Sequence, residues 1–586
     1  MIYLPPLRRF LLPAIVFVTL IISYRALPIP TSLPSFVLHP APAPPQGIHV
    51  PISGLQNPLP IANSSYNHLS PPNQYYYSYH RHEEALNDDK STSKLWRPGL
   101  DPNLEHLFRC PIDANKYTGH IRLPDIVQNI SQIPPGSLKP ESRVFWNPTV
   151  IALPYWSKNQ YLIVSRIVTD GNHQENVLCE ANVCYIGSGE NSRPREKRCT
   201  EDDLRHVGPG GGMRCVSSPV TLSVPPTPAE RCEGKFMPYV DIPGFHDPRI
   251  FWSGKGEPLM MVNTQSRYAC FGLWIIDLRT LHSPLQKLLT SSPKRPSLGP
   301  LKSYPTLTEL TRNPANTRSQ IEKNWFLFFP SSGESYIHYD LSNPRGGPRG
   351  RTFAKLLGNG LTTTNLTDPF EQPCLRDLTD AEEPDKMKRG GTWHQATNSL
   401  RLVLCNRFDY DCKAKPDNTV FFAIVHRKFP NWLKLPLRYE RYFMVWSATP
   451  PFEMLGISQH PVLMGNETAS GWPASENWDD DPANAKIVAM TKKTAANATE
   501  PYRGKDYWAY FTYTVSISYA WGRQPRAAKD GGDEAQDMHV GYLDDEVLLA
   551  IGVDDKGQAF SRAKAGELVQ CLRACPGRSE DKGERG

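Results

Sequence analysis

The tripeptide Asp247-Pro248-Arg249 sets a carboxylate two residues from a guanidinium at the start of a strand-like run. Side chains at i and i+2 share one face of a strand, and a proline holds the residue before it extended. An Asp beside an Arg is either kept ionised or tuned by its surroundings to act as an acid. Such a group can manage the proton on a glycosidic or acceptor oxygen. The same tripeptide also fits a strand-start turn closed by a structural salt bridge. A second carboxylate is available from Tyr542-Leu543-Asp544-Asp545-Glu546, just before an apolar run; as a charged hairpin turn it would do no chemistry. Asp247, Arg249 and Asp545 are therefore the candidate catalytic residues. His246 precedes the motif, and Asn147, Arg166 and Asp170 lie at early strand ends. Trp393-His394-Gln395 follows Gly390-Gly391 and precedes another strand. Of these, His246, Asn147, Arg166, Trp393, His394 and Asp544 are the candidate substrate-binding residues.

Other chemistries find less support. No G-x-S-x-G elbow or H-E-x-x-H helix occurs, so serine-hydrolase and zincin readings fall away. Asp479-Asp480-Asp481 has the D-x-D form that holds a divalent ion against a diphosphate, but Trp478 and Pro482-Ala483-Asn484 around it read as a solvated acidic loop. The twelve cysteines form no C-x-x-C pair and have no histidines at ligand spacing, so no zinc site is expected. No metal centre is expected at all. His338 and His426 lie inside strand runs and read as core or edge histidines. The net charge of +6 is mild and its Lys and Arg are spread along the chain, which argues against a nucleic-acid surface.

The elements that must position these residues are strands. Short runs rich in β-branched and aromatic residues recur between Gly, Pro, Asn and Asp, as in 144–154, 159–169, 257–266, 271–280, 324–332, 334–341, 399–407, 419–427, 441–448, 506–521 and 545–555. There is no βαβ alternation and no glycine-rich nucleotide loop, against a Rossmann-like enzyme. The runs cluster in groups of two to four, as propeller blades do. An all-β, five-bladed β-propeller over residues 96–586 is the predicted architecture, with a two-sheet β-sandwich as the alternative. An amphipathic stretch, 562–574, predicts a C-terminal helix.

Phe245-His246-Asp247-Pro248-Arg249-Ile250-Phe251, a turn and a second strand resemble the blade-opening motif E-D-P-R-[IV] of five-bladed propeller carbohydrate enzymes. These are the β-mannoside phosphorylases and related fungal β-1,2-mannosyltransferases. The resemblance covers mainly 144–280, with looser echoes at 325–341 and 541–555, and His246 stands where the motif has Glu. It implies a carbohydrate substrate, mannosyl transfer, a nucleotide-sugar donor of the GDP-mannose kind, and Asp247 and Arg249 at the ligand. A propeller hydrolase or phosphorylase acting on mannosides, or a non-catalytic carbohydrate-binding protein, are the alternatives.

The N-terminus predicts where this happens. Arg8 and Arg9 precede an uncharged apolar run, Phe10 to Tyr24, which burial draws out of water. Ala26 makes a poor cleavage site after Tyr24 and Arg25. The reading is a cytosolic tail (1–9), a retained transmembrane signal anchor (10–27) and a Pro-rich stem (28–95), with the positive-inside rule placing the rest in the lumen of the Golgi or a related secretory membrane. Cysteines, absent before Cys110, suggest lumenal disulfides. Cys179/Cys184, Cys199/Cys215 and Cys405/Cys412 are close enough in sequence for local staples, although spacing leaves connectivity open. Asn63, Asn129, Asn365, Asn466 and Asn497 each head an N-glycosylation triplet.

Overall fold

The computed structural model describes residues 104–108, 121–122, 130–131, 145–168, 174–185, 197–202, 204, 211–228, 231–239, 244–291, 302–341, 351–366, 392–429, 438–459, 461–464, 512–522, 536–553 and 557–575. The predicted anchor and stem, the Asp479–Asp481 run, Asp170 and the triplets at Asn63, Asn129, Asn466 and Asn497 lie outside them. Asn365 is exposed. No helix among the described residues is long and apolar enough to cross a membrane.

The chain is all-β. Many of its strands are apolar without alternation, as Thr419–Phe429 and Pro258–Gln265 are, because both faces are buried. Five sheets result. Sheet 1 carries β1 (Phe145–Ala152), β2 (Tyr161–Val168), β3 (Gln174–Tyr185) and β4 (Gly211–Cys215) in an antiparallel meander. In sheet 2 the order is β5 (His246–Trp252), β6 (Pro258–Gln265), β7 (Phe271–Asp277) and β8 (Thr308–Leu310). Sheet 3 holds β9 (Phe326–Phe328), β10 (Ser335–Asp340) and β11 (Thr352–Leu356). In sheet 4, β12 (Thr392–Gln395) and β13 (Leu400–Val403) both pair with β14 (Thr419–Phe429), followed by β15 (Arg438–Ser447) and β16 (Met454–Ser458). Sheet 5 joins β17 (Thr512–Tyr519), β19 (Glu546–Val553) and β20 (Gly557–Lys564), while β18 (Val540–Tyr542) runs parallel to β13.

Packing between the sheets makes a ring. Within β5, Ile250 and Trp252 enter a core shared with sheet 1, and Phe251 enters one shared with sheet 3. Along β14, Phe422 and Ile424 face sheet 5 while Phe421 and Ala423 face sheet 3. A fifth core joins Val150 and Ile163 of sheet 1 to Leu548 and Ala550 of sheet 5. Every consecutive pair of sheets, last with first, thus shares an apolar interface, and the arrangement is a five-bladed propeller. The core between sheets 4 and 5 also takes Leu104, Leu107 and Phe108. These flank or belong to a short N-terminal helix, α1 (Glu105–Phe108), whose His106 Nε2 lies 3.0 Å from the Gly566 carbonyl.

Two sequence expectations are corrected. The stretch 562–574 is no single helix: it finishes β20, makes one helical turn, α2 (Ala565–Leu568), and ends as β21 (Leu572–Ala574), the outermost strand of sheet 4. Its apolar residues Ala563, Ala565, Leu568, Val569 and Leu572 enter the core between sheets 4 and 5 from two strands and a turn instead of from one helix face. The Cys405–Cys412 staple forms as expected, but Cys179 pairs with Cys215 and Cys184 with Cys199, and Cys232 pairs with Cys270. Cys179 and Cys184 share one extended strand, where five residues span about 16 Å, too far for a bond; antiparallel pairing of β3 with β4 supplies Cys215 instead. Among the described residues no cysteine is free.

Between sheets 2 and 3, Arg312 pairs with Glu322 at 3.1 Å and Asp340 at 2.8 Å and lies over the Trp325 and Tyr339 rings. Burial pushes the Glu322 carboxyl up to about 7, against the pull of Arg312. An acid with a raised folded-state pKa binds more protons folded than unfolded, so stability falls as pH rises from its ordinary value through 7. Glu322→Gln is expected to remove on the order of 2–3 kcal/mol of that decline. Urea melts of both proteins between pH 5 and 8 check this; parallel curves would refute it.

Candidate active site at one end of the ring

The five inner strands β1, β5, β9, β12–β13 and β17 run in the same direction around the axis, pinned by side chains bonding to neighbouring backbone. Val150 N and Ala152 N donate to Ser516 Oγ (3.0 Å) and Ser518 Oγ (3.1 Å), and Ile250 N donates to Thr149 Oγ1 (3.0 Å). Asn398 exchanges two bonds with Ile517, and Ser399 Oγ donates to Leu327 O. These contacts satisfy strand-edge groups that would otherwise be buried unpaired, and they fix the register. The starts of the inner strands, bearing Asn147, Asp247, Asn324, His394 and Tyr513, therefore meet at one end.

Three of these residues share an unusual backbone. Asn147 and Asp247 have φ 47° and Asn324 has φ 63°, the left-handed region that Asn and Asp tolerate best among residues with a Cβ. The ladder shifts register beside Asn147 and opposite Asp247, as at a bulge that re-aims a side chain. Proline was expected to hold Asp247 extended; the bulge overrides it. Across the ring, Gly552 leaves room for Asn147, since a Cβ there would lie 2.2 Å from Asn147 Oδ1.

Asp247 takes as its partner Arg166 of β2, at 3.0 Å, rather than Arg249 of its own tripeptide. Arg166 also lies over the Trp146 ring at 5.1 Å. Arg249 donates to Val515 O at 2.6 Å and reaches Tyr513 Oη at 3.4 Å; Tyr513 in turn donates to Gln395 O at 2.8 Å. His394 Nδ1 sits 2.9 Å from Gln395 O and its Nε2 3.0 Å from Asn324 Nδ2. A carbonyl accepts and an amide nitrogen donates, so His394 is the Nδ1–H tautomer, with Nε2 as acceptor. Lys323 and Lys428 complete the cluster, Lys428 lying 5.8 Å from the Tyr439 ring centre.

Charge at this end is lopsided. Burial pushes the Asp247 carboxyl up, but Arg166, then Arg249, His246 and Lys323 outweigh it and hold it below its ordinary value. Burial lowers His246 to about 4, and Arg166 and Lys323 add to this against the pull of Asp247. His394 falls to about 3 through burial, then Lys428 and Lys323. Burial and the like charge of Lys323 also lower Lys428. Both histidines are thus neutral at ordinary pH. Asp247 faces two arginines and Lys323, with Lys428 beside His394, and among the described residues the main charges acting on this carboxylate are all basic. Among the described residues no cluster of His, Cys, Asp and Glu could hold a metal ion.

The structure brings together Asp247, Arg249, Arg166, His246, Asn147 and His394. It places three other candidates elsewhere. Trp393, next to His394 on the strand, points to the opposite face and packs in the core against Tyr442 at 5.0 Å. Asp545 and Asp544 lie at the far end of the inner strands: β17 and β19 are antiparallel, so residue 547 pairs with Tyr519 while Val553 pairs with Thr512. There Asp545 forms a two-pronged ion pair with Arg407, and Asp544 Oδ1 accepts from Arg407 N at 2.7 Å. Lys323, Asn324, Lys428 and Tyr513 were not foreseen. One signal for Asn147 was available: Phe145-Trp146-Asn147-Pro148 and Phe245-His246-Asp247-Pro248 repeat one pattern, and the two Asx residues open neighbouring inner strands.

No protein-family model matches this sequence, and no curated protein does. Solved structures that it is similar to include a β-1,2-mannobiose phosphorylase from Listeria innocua with β-1,2-mannobiose (11% identity, 75% of this chain and 96% of that one, TM-score 0.34). Another is a GDP-Man-dependent mannosyltransferase from Leishmania mexicana (9% identity, 74% and 88%, TM-score 0.29). A third is a putative glycoside hydrolase from Bacteroides ovatus (8% identity, 73% and 89%, TM-score 0.33). The enzyme classes that the Asp-Pro-Arg motif resembles are thus represented among them, at scores too low to bear on this chain's chemistry.

Proposed function

We propose that this chain is a glycosyl-transferring enzyme whose donor or leaving group carries phosphate, in the form of a type II Golgi protein moving mannose from a nucleotide sugar to a glycan or glycolipid. The observation that carries the reading is the Asp247 carboxylate facing Arg166, Arg249 and Lys323, with Lys428 near by and no second carboxylate among the main charges that the described residues bring to it. Hydrolysis of a glycoside uses a pair of carboxylates, whereas a departing phosphate needs cations to stabilise developing charge and no proton. Asp247 then serves as the base that takes the proton of the acceptor hydroxyl. Neutral His246, with Asn147 and Asn324, is left to hydrogen-bond sugar hydroxyls, and His394, with both ring nitrogens engaged, holds the Asn324 amide in place. Mannose is supported by the motif resemblance, and the membrane location by the apolar run at 10–24 and the disulfides. The same cations also suit inorganic phosphate as nucleophile, so phosphorolysis of a mannoside is the second reading.

The purified 28–586 segment is to be assayed with GDP-mannose plus β-mannoside acceptors, and separately with β-mannobiose plus phosphate. Turnover in the first assay supports transfer and in the second phosphorolysis; phosphate-independent hydrolysis alone overturns both. Asp247 must be ionised to act as base, so kcat/KM should hold until pH falls below its ordinary carboxylate value of about 3.9. A bound anion offsets the cations and lifts Asp247, which moves the acid limb of kcat upward relative to that of kcat/KM.

A further inference from the structure

At the opposite end of the ring the bridge between Cys405 and Cys412 closes a short loop on which Phe408 is 71% exposed and Tyr410 95% exposed. The loop is firmly held. Asn406 N donates to Asp409 Oδ2 at 3.0 Å, and two successive turns are closed by Asp409 N to Asn406 O and Cys412 N to Asp409 O. Leu543 N donates to Cys405 O, and the buried Arg407 between the two turns is clamped by Asp545. Exposing two aromatic rings on a fixed loop forgoes the burial that such rings ordinarily supply, and the fold itself gains nothing from them.

We propose that this loop is a second carbohydrate-binding surface, where Phe408 and Tyr410 stack on the apolar faces of sugar rings in a glycan chain. Two rings offer at most about 500 Å², well short of the ~800 Å² per partner of a stable protein interface. Asp409 and Asp411 alternate with the rings, which opposes docking on an anionic bilayer; a carboxylate such as the exposed Asp411 accepts hydrogen bonds from sugar hydroxyls. The site is independent of the chemistry at the other end, and would anchor a long acceptor while one of its termini is processed.

Affinity electrophoresis of the 28–586 segment through gels containing α-mannan, hydroxyethylcellulose or xyloglucan tests this. The wild type is expected to be retarded by at least one polysaccharide, with about two- to tenfold weaker binding on losing either ring and none detectable for Phe408→Ala/Tyr410→Ala. His246→Ala/Asn147→Ala, which removes sugar-facing groups of the catalytic end, should remain fully retarded, which separates this surface from that end. Unchanged far-ultraviolet circular dichroism certifies the fold of the double variant. Absence of retardation of the wild type in every gel, or equal retardation of the double variant, overturns the proposal. So does co-sedimentation with phosphatidylcholine–phosphatidylserine vesicles that depends on the two rings while no gel retards the protein.

Discussion

Asp247→Asn is expected to lower kcat by about 10²- to 10⁴-fold, the range for removing a positioned acid or base, without unfolding the ring. Asparagine preserves shape and tolerates the left-handed backbone, as Asn147 demonstrates at φ 47° in the neighbouring inner strand. Arg166, whose side chain is only 10% exposed, keeps a partner, because the asparagine amide oxygen can still accept from it. Removing a negative charge beside Arg166, Arg249 and Lys323 should leave donor KM unchanged or lower it. A kcat loss with steady or falling donor KM marks a group acting in the transition state. Full turnover by the asparagine variant would show that Asp247 is only a strand-start residue, and a rise in KM with kcat intact would make it a binding group.

For Asp545→Ala the loss should appear in stability instead. Arg407 and Asp545 side chains are 10% and 8% exposed, and the carboxylate also accepts from Tyr542 N at 2.8 Å. Truncation leaves a buried guanidinium without its partner, a change that costs about 3–5 kcal/mol. Guanidinium melts measure that loss, and turnover per folded molecule at 25 °C should match the wild type. Reduced turnover with unchanged stability would instead return Asp545 to the catalytic group.

The contrast between these two carboxylates shows what could be read from the chain and what could not. Both precede an apolar strand and both neighbour charged residues, so local pattern treats them alike. Their ends of the ring differ because β5 begins an inner strand while Asp545 begins β19, which runs back against β17. Direction within a sheet is a property of pairing, invisible in a run of residues. The blades were more legible: strands buried on both faces leave unbroken apolar stretches such as 419–425, and their grouping anticipated five sheets. Trp393 and His394 were expected to precede a strand and instead form one, β12, and which alternate face turns inward depends on the neighbouring sheet. Lys323 and Asn324 carry no motif, and reach the site because Asn324 begins the approach to β9. The disulfides of sheet 1 failed for a related reason: proximity in sequence is separation in space along an extended strand.

The helix at residues 105–108 has a mechanical consequence. Among the described residues no strand is shared between sheet 5 and sheet 1, so the seam there is held by side chains alone. The chain first packs Leu104, Leu107 and Phe108 between sheets 4 and 5, then enters β1 of sheet 1 at residue 145. On the way, Ile130–Ser131 pair with β4 of sheet 1, so one N-terminal run contacts both flanks of sheet 5 and links them covalently. The circle is buckled like a belt, with its tongue at Leu104. A fragment beginning after Phe108 would keep all five sheets and lose the buckle.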